Sequence, residues 1–171
     1  MVTATTNSAV LERAWRIAAE VTDPELPMLT LADLGVLRDL RQNEDGTIVV
    51  AITPTYSGCP AMATMRDDLV HRLTDAGFES VRVRVQLSPP WTTDWISESG
   101  RKALADNGIS PPGDAPRGPI ELQLMPIRRA IQCPQCGSDD TEVTSEFGST
   151  ACKALYRCRA CGDPFDHIKE H

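Results

Sequence analysis

Aromatic residues are scarce, at 5 % of this 171-residue chain. Any core must therefore be built from aliphatic side chains. The apolar share of 41 % is sufficient for that. No apolar run approaches the roughly 18 residues of a membrane span. Basic charge is in deficit, with a formal net charge of −7. That argues against nucleic acid as the main partner, because phosphate binding needs a basic surface. The opening "MVTATTNSAVLERAW" has no charged start, apolar stretch or small-residue cleavage site. It does not read as a secretory signal, and a cytoplasmic location is expected. There is no G-x-G-x-x-G, no P-loop, no Ser-His-Asp or Cys-His pairing and no spaced carboxylate–His pattern for a di-iron site. No convincing set of catalytic groups emerges, so the chain is not expected to be catalytic itself.

Cysteine is present and unevenly placed. Cys59 stands alone, while Cys133, Cys136, Cys152, Cys158 and Cys161 crowd the last quarter. In a cytoplasmic chain such residues are metal ligands or reactive thiols more often than disulfides. The asymmetry points to two modules.

Residues 8–21 have helical spacing, with Ser8 as a cap and Ala9, Leu11, Ala14, Ile17 and Val21 as the apolar stripe. The prolines of "TDPELP" stop that helix. Asp45-Gly46 is a hairpin signal, so 36–41 and 47–53 are expected to pair antiparallel. A second helix is expected over 60–76, opened by Pro60 and closed by Gly77. "SVRVRVQL" alternates as a strand, and 97–107 reads as a short helix. "ISPPGDAPRGP", with four prolines and two glycines, reads as a linker, and "IELQLMPI" as a lead-in strand. The predicted class is α+β: a small sheet packed with helices, followed by a small zinc ribbon. The predicted domains are 1–108, a linker with lead-in strand at 109–126, and the ribbon at 127–171.

Two C-x₂-C knuckles, Cys133/Cys136 and Cys158/Cys161, carry that last assignment. Twenty-one residues stand between them, just above the usual span of about 15–20. Four thiolates hold Zn²⁺ tetrahedrally in closed, structural sites, and binding supplies folding energy to a segment with little core. A redox C-x-x-C is the bland alternative, and a rubredoxin-like iron site would use the same ligands. Cys152 is a surplus thiol, read as a buried spacer, an extra ligand or a reactive group. "SEFGSTACKALY" has the composition of a contact surface, although a plain turn would also account for it. His167 and His171 are expected to be solvated tail residues.

Cys59 is expected at or beside the N-cap of the second helix, where unpaired N–H groups and the helix dipole favour a thiolate or a bound anion or soft metal. A buried cysteine acting as a small hydrophobe is the competing reading. Asp23, Glu25 and Asp33 alone read as turn residues.

"DPELPMLTLADLGVL" followed by "ITPTYSGCPAM" resembles the metal–sulfur cluster assembly family. With "CPQCGS…SEFGSTACKALYRCRACGDPFDHIK" added, the chain resembles, over roughly 8–170, the family of the D component of the phenylacetyl-CoA epoxidase system. That resemblance implies an accessory factor that matures or repairs the metal centres of a multicomponent oxygenase, with the oxygenase or reductase subunits as protein partners. It implies transient iron or an iron–sulfur cluster at Cys59, with Asp23, Glu25, Asp33 and Thr53 in support. A lone thiolate needs further ligands, so a homodimer is also expected. A zinc-ribbon adaptor without metal transfer and a Cys59-dependent thioester-processing component are the alternatives. The family's T-P-x-C-P loop is short; here Tyr56 and Ser57 lengthen it.

Overall fold

A computed structural model describes residues 3–56, 58–113 and 131–170, with the backbone alone for 3–7. The expected lead-in strand at 120–127, most of the proline-rich linker, Ser57 and His171 lie outside the described residues. The chain forms two compact units, Met1–Trp91 with Trp95–Gly100, and Thr92–Asp94 with Arg101–His171.

The first unit opens with α1 (Thr3–Ala19). It begins before Ser8, whose hydroxyl donates to Glu12 Oε1 one turn on instead of capping the helix. Ala14, Ala18 and Val21 are buried, whereas Ala9 is exposed. After the helix, Val21 to Leu31 folds back on itself. Asp23 N–H donates to Leu29 O and Leu31 N–H to Val21 O. This places Leu26, Leu29 and Leu31 in the core.

β1 (Leu37–Gln42) and β2 (Ile48–Ile52) form the expected antiparallel hairpin, with an irregularity between Leu37 and Asp39. Gly46 takes φ 84° at the turn, a conformation open to glycine and strained for most other residues. β2 then runs parallel to β3 (Val81–Val85), with α2 (Met62–Asp75) between them in sequence. β2 is the central strand and is buried throughout, as parallel pairing with a helical crossover requires. Met65, Leu69 and Leu73 form the buried stripe of α2. Gly35 is a second constrained glycine: φ is 68°, and a Cβ there would lie 2.5 Å from Trp95 Cβ.

Helix α3 (Glu98–Asp106) matches the expected short helix. In the second unit, Arg101 donates to the carbonyls of Thr93 at 2.7 Å and Pro112 at 2.5 Å. Here the linker expectation is corrected. Ile109–Ser110 is a buried strand, β4, paired parallel to β7 (Pro164–Ile168). β5 (Thr141–Ser145) and β6 (Lys153–Cys158) complete a sheet in the order β4-β7-β6-β5. One buried cluster in this unit consists of Cys133, Cys158 and Phe165, with Ile131 and Tyr156 against them, and Ile109, Ala154 and Ile168 are buried on the same sheet. The expectation of a solvated His167 is corrected as well. His167 is 4 % exposed on β7, with Nδ1 3.1 Å from Ser110 O. Strand alternation aims its ring inward, a pattern hidden by its nearness to the chain end.

Candidate metal centre and the Cys59 loop

The two knuckles are built alike. Gly137 N–H donates to Cys133 O and Gly162 N–H to Cys158 O. Cys133 N–H donates to Ser138 O, and Cys158 N–H to Asp163 O. Each glycine has positive φ, 72° and 81°, which closes the turn behind the second cysteine. The result brings all four sulfurs within 4.8 Å of one another. Cys133 Sγ lies 3.8 Å from Cys161 Sγ, and Cys136 Sγ 3.6 Å from Cys158 Sγ. A tetrahedron with metal–sulfur bonds of about 2.3 Å has edges of about 3.8 Å. The four thiols therefore fit one tetrahedral ion.

Electrostatics supports the same fit. The Cys161 N–H leads the forces that lower the Cys158 thiol to about 7, aided by the Ala160 N–H. The Asp163 N–H favours ionised Cys161, but desolvation and the three neighbouring thiols outweigh it and push that pKa up to about 12. At Cys136 the Ser138 N–H is likewise outweighed, chiefly by Cys158, and its pKa is raised. Amides aimed at sulfurs favour thiolates, yet thiolates this close repel one another. A bound cation resolves that conflict.

Cys152 is not a member of the set. It is buried, with Sγ 3.0 Å from Thr150 Oγ1.

The Cys59 loop differs from expectation in detail. Helix α2 starts at Met62 and its N-cap residue is Ala61, which offers no side-chain cap. Cys59 is thus two residues ahead of the cap. Pro60 lies outside the first turn, and a tight turn intervenes, with Cys59 N–H on Tyr56 O and Met62 N–H on Cys59 O. Cys59 is half-buried and outside any disulfide.

The other candidates are positioned mainly by backbone and hydroxyl groups. Asp23 is buried and accepts the N–H groups of Glu25 and Leu26, both at 2.8 Å. Asp33 accepts from Ser97 Oγ at 2.6 Å, Ser99 Oγ at 2.8 Å and Thr30 Oγ1 at 2.8 Å. Burial opposes its charge, but these donors prevail and its pKa is lowered. Thr53 is 1 % exposed; its N–H donates to Val36 O, and its Oγ1 has no partner among the described residues. Among the described residues the four ribbon cysteines are the one cluster able to hold an ion, so Cys59, Asp23, Glu25 and Asp33 do not close a second. Sequence reasoning missed Ser97 and Ser99, which it read only as a helix start. It also missed Arg38, whose guanidinium stacks 3.5 Å from the Trp95 ring centroid. Neither contact leaves a local sequence signal.

Known proteins match the chain in two separate stretches. The family described as "Iron-sulfur cluster assembly protein" matches residues 15–87, and the "PaaD zinc beta ribbon domain" matches residues 121–169. The chain is 44 % identical over 155 residues to an Escherichia coli (strain K12) protein named as the putative D component of 1,2-phenylacetyl-CoA epoxidase, covering 91 % of this chain and 90 % of that one. It is 31 % identical over 97 residues to the Bacillus subtilis (strain 168) "Fe-S protein maturation auxiliary factor YitW", covering 56 % and 94 %. The crystal structure of a DUF59 domain from Bacillus anthracis aligns at a TM-score of 0.55 and 27 % identity, covering 60 % of this chain and 97 % of that one. No described helix is long and apolar enough to cross a membrane. The chain belongs to the PaaD family, joining an iron–sulfur cluster assembly domain to a zinc β-ribbon.

Proposed function

We propose that this protein is a cytoplasmic accessory factor that matures the metal centres, iron–sulfur or di-iron, of a multicomponent phenylacetyl-CoA epoxidase in aerobic phenylacetate degradation. The observation that carries the reading is one chain joining an assembly-type domain, with a half-buried thiol on a turn, to a ribbon of the kind matched in PaaD. In this reading the ribbon holds structural Zn²⁺ through Cys133, Cys136, Cys158 and Cys161, and docks the client protein. Cys59 holds iron or a cluster transiently. Asp23 supports it by fixing the "DPELP" turn, and Asp33 by fixing the "ADLG" turn. Glu25 and Thr53 belong to the same assembly domain. Because no closed ligand set surrounds Cys59 among the described residues, its remaining ligands come from the client, a small thiol or a second copy of the chain.

That open ligand set also favours a second reading, an adaptor that holds subunits together without moving metal. Thioester processing is less well supported, because the sequence offers Cys59 no positioned base. Cys59→Ser separates the first two. Coexpressed with the epoxidase subunits, the variant should fold, keep its zinc and yield epoxidase with at least about tenfold less iron-dependent activity, since losing even a group that only supports a metal ligand costs about 10–100-fold. Full activity in the variant would leave only the adaptor.

A further inference from the structure

The ribbon thiols differ in access. Cys133 and Cys158, the first of each knuckle, are 2 % and 0 % exposed and pack with Phe165, Ile131 and Tyr156. Cys136 and Cys161, the second of each knuckle, are exposed. The residue after each exposed cysteine is glycine, and at Gly137 and Gly162 nothing lies within 4 Å of where a Cβ would stand. One side of the tetrahedron is therefore walled and the other open. The two open sulfurs come from different knuckles yet lie within 4.8 Å of each other.

We infer that Cys136 and Cys161 form an oxidation site at which a hydroperoxide converts the two exposed thiolates to a disulfide and releases the ribbon's ion. The Cys136 thiolate attacks one peroxide oxygen. An S–O bond forms, the O–O bond breaks and hydroxide leaves, giving a sulfenic acid. The Cys161 thiolate then attacks that sulfur. The S–S bond forms, the S–O bond breaks and a second hydroxide leaves. The reverse order of attack gives the same product. Two thiolates have together lost two electrons, and the peroxide has accepted them. Cys133 and Cys158 alone cannot complete a four-ligand site, so the ion departs. A dithiol reductant with added metal reverses the change. Cys152 lies outside this chemistry, because it is buried and its sulfur contacts Thr150.

The inference rests on the zinc assignment to the ribbon and is independent of the role of Cys59. The test uses the full chain, with its metal content measured first. Hydrogen peroxide is added in steps, zinc release is followed with a chromogenic chelator, and partly oxidised protein is mapped by differential alkylation and mass spectrometry. The expected result is one ion released per disulfide formed, with Cys136 and Cys161 oxidised at least about fivefold ahead of Cys133 and Cys158, since thiol oxidation follows exposure. Cys161→His keeps four potential ligands but removes the disulfide partner. That variant should release zinc about tenfold more slowly. Equal oxidation of all four ligands, oxidation led by the buried pair, or zinc retained while the exposed pair oxidises would each overturn the inference. A chain without metal at the outset overturns the zinc assignment itself, and the initial metal content identifies that case.

Discussion

Asp33 shows how one side chain acquires a role from residues far away in sequence. Beside "ADLG" it reads as a turn acid. In the fold it gathers three hydroxyls, two of them more than sixty positions away, at Ser97 and Ser99. Ser97 N–H also donates to Asp33 O, so main chain and side chain fasten the same two segments. Hydrogen bonds to a charged group are worth about 1.5–3 kcal/mol each when buried, and less where water competes. Asp33→Ala should lower stability by about 2 kcal/mol, read as an earlier urea midpoint with an unchanged slope. An unshifted midpoint would mean that water replaces these contacts at no cost. The carboxyl was legible in the sequence as a candidate, but its three donors were not. Serine at a helix start is too common a cap for its distant partner to be inferred.

At the scale of elements, the Asp45-Gly46 turn identified the hairpin, and periodicity both long helices and β3, because each signal is local to its own residues. β4 escaped it. Two residues, Ile109 and Ser110, are too few to show alternation, and they are held by pairing with β7. His167 contributes to that pairing through Nδ1 and Ser110 O, and burial holds its pKa below the ordinary value, against the Ser110 carbonyl and Glu170, which both raise it. Near pH 6.5 the folded state thus binds fewer protons than the unfolded chain, so stability falls as pH falls. The contribution is fully present above about pH 6.5 and is lost as the pH drops through the lower folded value. Thermal melts in excess metal should show the β4–β7 unit losing stability from pH 7 to 5, and His167→Gln should flatten part of that slope. A slope identical to that of the parent protein would assign the acid sensitivity wholly to the thiolates.

The whole molecule divides by its source of stability. The first unit buries aliphatic side chains from Ala14 to Leu73 around β2. The ribbon buries fewer large apolar side chains among the described residues, and Cys133 and Cys158 of its cluster with Phe165 belong to the thiol set. Metal binding should therefore supply much of the ribbon's folding energy. Removing metal with a strong chelator should erase hydrogen-exchange protection in β5, β6 and β7 while β1, β2, α1 and α2 keep theirs. Protection retained throughout would show that the ribbon folds without its ion.

The sequence by itself determined the class, the order of the main elements and the four thiols of the ribbon. Those features rest on spacing along one stretch of chain: the C-x₂-C knuckles, the Asp45-Gly46 turn and the stripe Met65, Leu69, Leu73. Tertiary structure alone decided which sulfurs are walled in and which are open, that Cys152 packs apart from the metal set, that Cys59 precedes the helix cap by two residues, and that His167 faces inward. Burial and partner choice depend on what another part of the chain brings to the same place, and no local pattern carries that information.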